Sequence, residues 1–198
     1  MPLLVVAGFA AFGANEKLAF LKVSPLAGES KTSKSGGSGG MIRQASAMTA
    51  QNTSKTVTRN MKWSCEVRYR GEPKPEKVEL RVFYIGYEAN DMTPKILGKE
   101  VKTLTLDEAG KASVGIESPT VRLHKSRTSS GGFSGRSGRI AKSKSTTQGQ
   151  RMAGCVVQLF EDGELVKSYA SMSQWDRAAK ERDFSDAVLN RKDKNRLN

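Results

Sequence analysis

Residues 61–71, MKWSCEVRYRG, alternate between apolar and polar side chains. Trp63, Cys65, Val67 and Tyr69 share one face of an extended chain, and the residues between them are charged or serine. Successive side chains of a β-strand point to opposite faces, so this period of two predicts a strand with one buried face. It is the strongest β signal in the chain.

Other β-type runs recur at a spacing of roughly ten residues. Residues 77–87 alternate and then become apolar on both faces, which predicts a central strand, and 99–118 and 151–171 each predict a hairpin. In the second hairpin, Asp162-Gly163 suits the positive φ angles of a type I′ turn. Seven or eight strands joined mostly by turns are typical of an antiparallel sandwich or barrel, so we predict a mainly β protein.

Changes in composition and period divide the chain into parts. A run of Ser, Gly and Lys reads as a flexible linker, and a longer run of the same kind separates two strands. After the last hairpin the period changes, and Ser171 or Ser173 is suited to cap a short C-terminal helix that carries Trp175. The predicted parts are a signal peptide (1–13), an N-terminal strand (14–27), a linker (28–40), a β-sandwich domain (41–171) with a mobile basic loop (126–150), and a C-terminal helix with a basic tail (172–198).

The first residues resemble a secretory signal peptide. Leu3 to Phe12 is a short apolar run, and Ala11 and Gly13 are small residues at positions −3 and −1 if cleavage falls before Ala14. No Lys or Arg precedes the run, and a buried N-terminal strand or helix is the alternative. We expect an exported protein, in the periplasm, on the outer-membrane surface or extracellular. We expect no integral membrane span, because a spanning helix needs about 20 apolar residues.

The chain is strongly basic, with a formal net charge of +13. Residues 118–160 contain no Asp or Glu, and such a charge favours association with polyanions. Phe133 adds one ring that could stack on a base or a sugar. The alternative is a loop that its charges merely solubilise. The candidate polyanion-binding residues are Arg122, Lys125, Arg127, Phe133, Arg136, Arg139, Lys142, Lys144 and Arg151.

Residues that perform catalysis are scarce. His124 is the one histidine, and its alternation with Arg122 predicts an exposed position on a basic strand face. No Cys-x-x-Cys pair suggests a zinc site, no glycine-rich run matches a phosphate-binding loop, and no isolated acidic pair suggests a glycosidase. We therefore predict no enzyme activity, no cofactor and no metal.

Cys65 and Cys155 each lie on the apolar face of a predicted strand, about 90 residues apart in the sequence. In an exported protein they could form one disulfide, which would contribute on the order of 4 kcal/mol by restricting the unfolded chain. The alternative is a pair of separate buried thiols that act as small apolar residues.

The runs TRNMKWSCEVRYRG, FYIGY and GCVVQLFEDGELVKSYAS resemble a group of small secreted immunoglobulin-like proteins associated with pilus-related loci of mucus-dwelling bacteria. The resemblance covers roughly residues 41 to 175 and brings no catalytic residues. It implies an antiparallel immunoglobulin-like β-sandwich and a structural role at the cell surface or in the periplasm. A pilin subunit needs a long apolar N-terminal helix, and Leu3 to Phe12 is too short for one.

The leading hypothesis is therefore a structural or interaction module at the cell envelope, of the surface or pilus-accessory type. Its expected partner is an anionic surface or glycan, or another envelope protein. The alternative is a nucleic-acid-binding β protein that uses the same basic loop, and a steep salt dependence for DNA or RNA would favour it.

Overall fold

The computed structural model describes residues 18–36, 50–70, 72–130 and 143–191. Within these ranges the chain forms ten strands, all paired antiparallel, two short 3-10 helices and one short α-helix. The predicted mainly β architecture is confirmed. The strands are β1 (Leu18–Leu26), β2 (Ser30–Gly36), β3 (Ala50–Arg59), β4 (Lys62–Arg70), β5 (Lys77–Glu88), β6 (Lys95–Thr105), β7 (Lys111–Glu117), β8 (Val121–Ser130), β9 (Ser143–Glu161) and β10 (Glu164–Ala170).

Two sheets enclose the main hydrophobic core, an arrangement consistent with a β-sandwich. One has the order β1-β4-β7, and the other contributes β6, β5, β9 and β10 side by side. We call these seven strands, with β9 counted from Gln150 onward, the body. Trp63 of β4 stacks on Tyr84 of β5 with 6.2 Å between the ring centroids. The core side chains of β4 and β5 are those that the alternation predicted: Trp63, Cys65, Val67, Tyr69, Val78, Leu80, Val82 and Tyr84.

A third layer, the C-terminal segment, covers the other face of β5 and β9. It contains the 3-10 helices Ser173–Trp175 and Ala178–Lys180, followed by α1 (Asp186–Leu189). Trp175 is 2% exposed and packs with Phe83 of β5 and Val156 of β9.

The helix predicted from Ser171 or Ser173 is wrong in form. The buried side chain of Gln158 donates hydrogen bonds to the carbonyls of Ala179 (2.9 Å) and Glu181 (2.8 Å). These bonds and the burial of Trp175 hold the segment flat against the sheet. An α-helix of four residues forms only later, where the Ser185 hydroxyl accepts a hydrogen bond from the Val188 amide.

The hairpin predicted at 99–118 is wrong, because β6 pairs with β5 and β7 pairs with β4 in the other sheet. Two other predictions, one of a strand and one of a turn, are confirmed. The predicted N-terminal strand is β1, which pairs with β4. The Asp162-Gly163 turn joins β9 to β10 with φ angles of 48° and 79°, the positive values that this pair was expected to adopt.

Four strand segments extend the larger sheet beyond the body. They follow the order β2-β3-β8-β9, where β9 takes part through residues 143–149. We call these segments, β2, β3, β8 and 143–149, the arm. At Gln150 strand β9 passes from the arm into the body and begins to pair with β5.

The flexible linker predicted at 28–40 is wrong for its central part. Residues Ser30–Gly36 form β2, an edge strand whose seven residues all pair with β3. A Ser- and Lys-rich sequence carries little strand signal of its own, and here the backbone hydrogen bonds to β3 supply the order. Residues 37–40 lie outside the described ranges.

The mobile loop predicted at 126–150 is also wrong at both ends. Strand β8 continues to Ser130 and β9 begins at Ser143, and the two pair in register over this stretch. Thr side chains favour strands, which helps β8 and β9 extend beyond the core. Residues 131–142, the signal peptide predicted at 1–13 and the tail residues 192–198 lie outside the described ranges.

Cys65 and Cys155 are both free and fully buried in the main core. Burial raises the pKa of each thiol to about 12, and for Cys155 the neighbouring Cys65 adds to the effect. The structure therefore has the second of the two predicted forms, a pair of buried thiols. They lie on strands of the two different sheets, so both contribute to packing between the sheets.

Candidate functional site

The arm contains basic residues but no acidic ones. Strands β2 and β3 carry two Lys or Arg residues each, β8 carries three and residues 143–149 carry one, and no Asp or Glu occurs in any of these segments. The eight are Lys31, Lys34, Lys55, Arg59, Arg122, Lys125, Arg127 and Lys144. A sheet with charges of one sign repels itself, so its electrostatic potential favours an anionic partner.

Three lysines lie side by side across the arm. Lys34 of β2 is the register partner of Lys55 of β3, and Lys55 is the partner of Lys125 of β8. Register partners point to the same face, and their Cβ atoms are about 5 Å apart. Like charges placed directly opposite one another destabilise a sheet, so this lysine row is unfavourable unless something neutralises it. All three lysines are exposed, and none forms an ion pair with another described residue.

We call the face that carries these lysines the lysine-row face. By strand alternation it also carries Arg59 and Arg127, together with the partly buried Val57 and Leu123. Along the strands an apolar row therefore lies between two basic positions. This face combines charge with some exposed hydrocarbon.

The opposite face of the arm is more polar. His124 is exposed there, as predicted, and its Nδ1 lies 3.0 Å from the Thr56 hydroxyl. Arg122 borders a hollow of about 700 Å³ that Glu88 and Asp91 of the body also line. Acidic groups therefore adjoin this face at its base, whereas none lines the hollow on the lysine-row face.

Buried polar contacts hold the arm to the body. The side chain of Asn60, between β3 and β4, accepts a hydrogen bond from the Glu29 amide (2.8 Å). The hydroxyl of the buried Ser118 accepts one from the Met61 amide (2.9 Å). On β9 the passage occurs at Gly149, whose φ is +106°, and a Cβ there would lie 2.1 Å from the Arg122 carbonyl oxygen. A glycine is required at this point.

Basic residues of the body are arranged differently. Lys62 lies within 3.3 Å of Glu29 and 3.6 Å of Glu117, and the hydrogen bond to Glu29 raises the pKa of Lys62. Lys95 similarly lies within 3.0 Å of Glu88 and 3.4 Å of Asp91. Positive charge in the body is thus partly neutralised within the protein.

The structure brings together some of the residues predicted from the sequence. Arg122, Lys125, Arg127 and Lys144 all lie on the arm. Arg151 lies one residue beyond the point where β9 enters the body, with its guanidinium 5.7 Å from the centre of the Tyr87 ring. The other predicted binding residues, Phe133, Arg136, Arg139 and Lys142, lie outside the described ranges.

The sequence prediction missed the half of the site that β2 and β3 provide. The missing residues are Lys31, Lys34, Lys55 and Arg59, and the signal was a second window without Asp or Glu, at 30–65. This window holds six of the 33 basic residues and the window at 118–160 holds eight, which leaves 19 basic against 20 acidic residues elsewhere. The two windows therefore account for the whole excess of positive charge, and the fold places β2 and β3 of the first window in one sheet with β8 and β9 of the second.

The described residues provide little for catalysis. They contain no group of three or more His, Cys, Asp or Glu side chains that could hold a metal ion. Within the same ranges no helix has the length and apolar character needed to cross a bilayer.

The comparisons with known proteins add no relative. No family model, no curated protein and no solved structure matches the chain. The proposals that follow therefore depend on the residues and geometry of this molecule.

Proposed function

We propose that the protein is an interaction module without enzyme activity, in which the body displays the arm to an anionic polymer. The observation that carries the proposal is the exposed lysine row Lys34–Lys55–Lys125 in a sheet without acidic residues. A row of like charges lowers the stability of the arm, and a bound polyanion reverses this effect. The bound polyanion therefore stabilises the arm by neutralising the repulsion within the lysine row.

The proposed partner is an anionic glycan or a similarly charged surface. Proteins that bind single-stranded nucleic acid usually offer aromatic side chains on which bases stack. The described strand segments of the arm contain no Phe, Tyr or Trp. Contacts to sulfate, phosphate or carboxylate groups need only the cations, and these the arm supplies on both faces.

We further propose that the body is immunoglobulin-like. Immunoglobulin-type sandwiches pack strands A, B and E against C, F and G, with C′ beside C in variable-type domains. The body strands in chain order, β1, β4, β5, β6, β7, β9 and β10, correspond to A, B, C, C′, E, F and G. Cys65 on β4 and Cys155 on β9 then occupy the two strands that carry the inter-sheet disulfide in antibody domains.

The cellular setting that we propose is the envelope. The apolar run from Leu3 to Phe12, followed by small residues, supports export, and the resemblance to pilus-related proteins supports a surface or accessory role. Fractionation of cells that produce the full chain tests this setting. Recovery in the cytosol with Leu3 to Phe12 intact would contradict it.

Heparin, a sulfated glycan, is a suitable probe for the binding function. Its affinity is measured by titration at several salt concentrations, with the Lys34→Gln/Lys55→Gln/Lys125→Gln variant beside the wild type. We expect the variant to bind at least about tenfold more weakly and with a shallower dependence on salt, because fewer counterions are released.

The matched control changes three exposed lysines of the body, as Lys77→Gln/Lys111→Gln/Lys167→Gln. It lowers the net charge by the same three units and should bind nearly as the wild type does. Equal weakening in both variants would show that only net charge matters. Tighter binding of single-stranded DNA than of heparin at equal salt would favour the nucleic-acid alternative.

A further inference from the structure

A hollow lies on the lysine-row face where the arm meets the body. Its volume is about 180 Å³. Two side chains of the arm, Val57 and Leu123, line it from the apolar row, and Val121 and Met152 continue the apolar lining toward the body. Lys55, Arg59 and Lys125 also line it.

The apolar lining is unusual for its surroundings. Val121 and Met152 are 6% and 5% exposed, whereas Val57 and Leu123 remain partly open to solvent. The rest of the arm carries mostly Ser, Thr and Lys, which makes these two positions stand out. Apolar surface that the fold leaves uncovered inside a concavity is typical of ligand sites.

The charges around the hollow come from both ends of the apolar row. On one side of the apolar row, Lys55 and Lys125 each lie two residues along their strands from Val57 and Leu123. On the other side, Arg59 lies two residues from Val57. No acidic residue lines the hollow. A ligand that fills it therefore meets positive charge on either side of its apolar part.

We propose that this hollow binds a small amphiphilic anion, a phosphate, sulfate or carboxylate joined to one aromatic ring or a branched alkyl group of similar size. A closed cavity of about 150 Å³ is enough to hold benzene, so the space here fits a single ring. The ring lies against Val57 and Leu123, and the anionic group contacts Lys55 and Lys125. This proposal rests on the proposed function, because Lys55 and Lys125 belong both to the lysine row and to the lining of the hollow.

Phenyl phosphate is the direct probe, with inorganic phosphate and benzyl alcohol as its two halves. Each is titrated into the full chain while backbone amide signals are followed by NMR. We expect phenyl phosphate to bind at least about tenfold more tightly than inorganic phosphate, because the ring is removed from water. The largest changes should fall at Val57 and Leu123. Equal affinity for phenyl phosphate and inorganic phosphate overturns the proposal.

A substitution in the lining separates this site from the polyanion surface. Leu123→Thr introduces a β-branched side chain, which is suited to a strand, and makes the hollow polar. We expect it to abolish the preference for phenyl phosphate and to leave heparin affinity unchanged. Val101→Thr, at a position on β6 that is 51% exposed, is the control and should change neither.

The two proposals fail in different ways. The site in the hollow is overturned if Val101→Thr loses the preference for phenyl phosphate over inorganic phosphate, or if Leu123→Thr keeps it. Neither result affects the proposal that the arm binds heparin. Failure of the wild type to bind heparin overturns the proposed function whatever the result with phenyl phosphate.

Discussion

Strand β9 passes through two different environments. From Cys155 to Phe160 every side chain is buried, with the core on one face and the C-terminal segment on the other. From Lys144 to Gly149 the same strand is exposed, apart from a half-buried Thr147. The body is thus stabilised by buried apolar surface, whereas the arm depends on backbone hydrogen bonds and its attachment to the body.

This difference explains how the charges are distributed. A strand that buries one face cannot place a cation there without a partner, since an isolated buried charge is very costly. A strand that buries neither face has no such restriction. The arm can therefore carry cations on both of its faces, whereas a body strand can carry them only on its exposed face. The body in turn provides the stability that the lysines reduce.

The first contrast comes from one substitution made in each region. Leu159→Ala, at a fully buried core position of β9, should lower the free energy of unfolding by about 3 kcal/mol. Leu123→Ala, in the partly exposed row of the arm, should lower it by less than about 1 kcal/mol. Urea unfolding followed by tryptophan fluorescence measures both, because Trp63 and Trp175 belong to the body core and its cover. Equal losses would mean that arm and body unfold as one unit.

A second contrast is the response of the body to alkaline pH. An unfolded thiol loses its proton near pH 8.5, whereas burial raises the pKa of Cys65 and Cys155 to about 12. Above pH 8.5 the folded chain then binds more protons than the unfolded chain. Stability is therefore lost as pH rises toward 12, by about 1.4 kcal/mol per thiol for each pH unit.

The double variant Cys65→Ala/Cys155→Ala checks this assignment. Urea unfolding of variant and wild type at pH 8 and pH 10.5 should show a smaller decline with pH in the variant. Tyr69 and Tyr84, whose pKa values burial also raises, remain in both proteins. An identical decline in both would contradict the role of the thiols.

A third contrast concerns the junction between the two regions. Gly149→Ala forces a side chain into a backbone conformation with positive φ and against the Arg122 carbonyl, at a cost of about 1–3 kcal/mol. Hydrogen exchange should then speed up in the arm and stay unchanged in the body. Gly115→Ala on β7 is the control, because an added Cβ there meets nothing within 4 Å. Faster exchange throughout the body would show that the arm supports the core.

The smallest expected effect is the change in stability of the arm when the lysine row is removed. Replacing Lys34, Lys55 and Lys125 by Gln removes the repulsion between neighbours and should slow hydrogen exchange in the arm, by a change of roughly 0.2–1 kcal/mol per pair. Added salt should act in the same direction on the wild type by screening the charges. Faster exchange in the variant would mean that the lysines stabilise the arm.

The sequence predicted the body better than the arm. The alternation at 61–71 identified the buried face of β4, and Asp162-Gly163 identified the turn between β9 and β10, because burial and positive φ each leave a mark on residue type. Strand β2 left no such mark. Its side chains are exposed, so no pattern of burial marks the strand. Only the pairing with β3, a segment that is not adjacent in the sequence, makes these residues a strand.

The candidate site was predicted in part for the same reason. The positive charge of β8 and β9 was visible as one long window without acidic residues. The sequence did not show that Lys125 of β8 lies in register with Lys55 and, through it, with Lys34. The lysine row exists only once the register of three strands is known. The second 3-10 helix was missed because its contact with the Gln158 side chain leaves no mark on the periodicity of the sequence.

We propose that the arm, and not the body, binds the polyanion. The most direct test is a heparin titration of the wild-type chain in which every resolved backbone amide is followed by NMR. We expect chemical shift changes concentrated in β2, β3, β8 and residues 143–149, together with slower hydrogen exchange there in the complex. Shifts spread over the body strands, or a complex in which arm exchange is as fast as in the free protein, would contradict it.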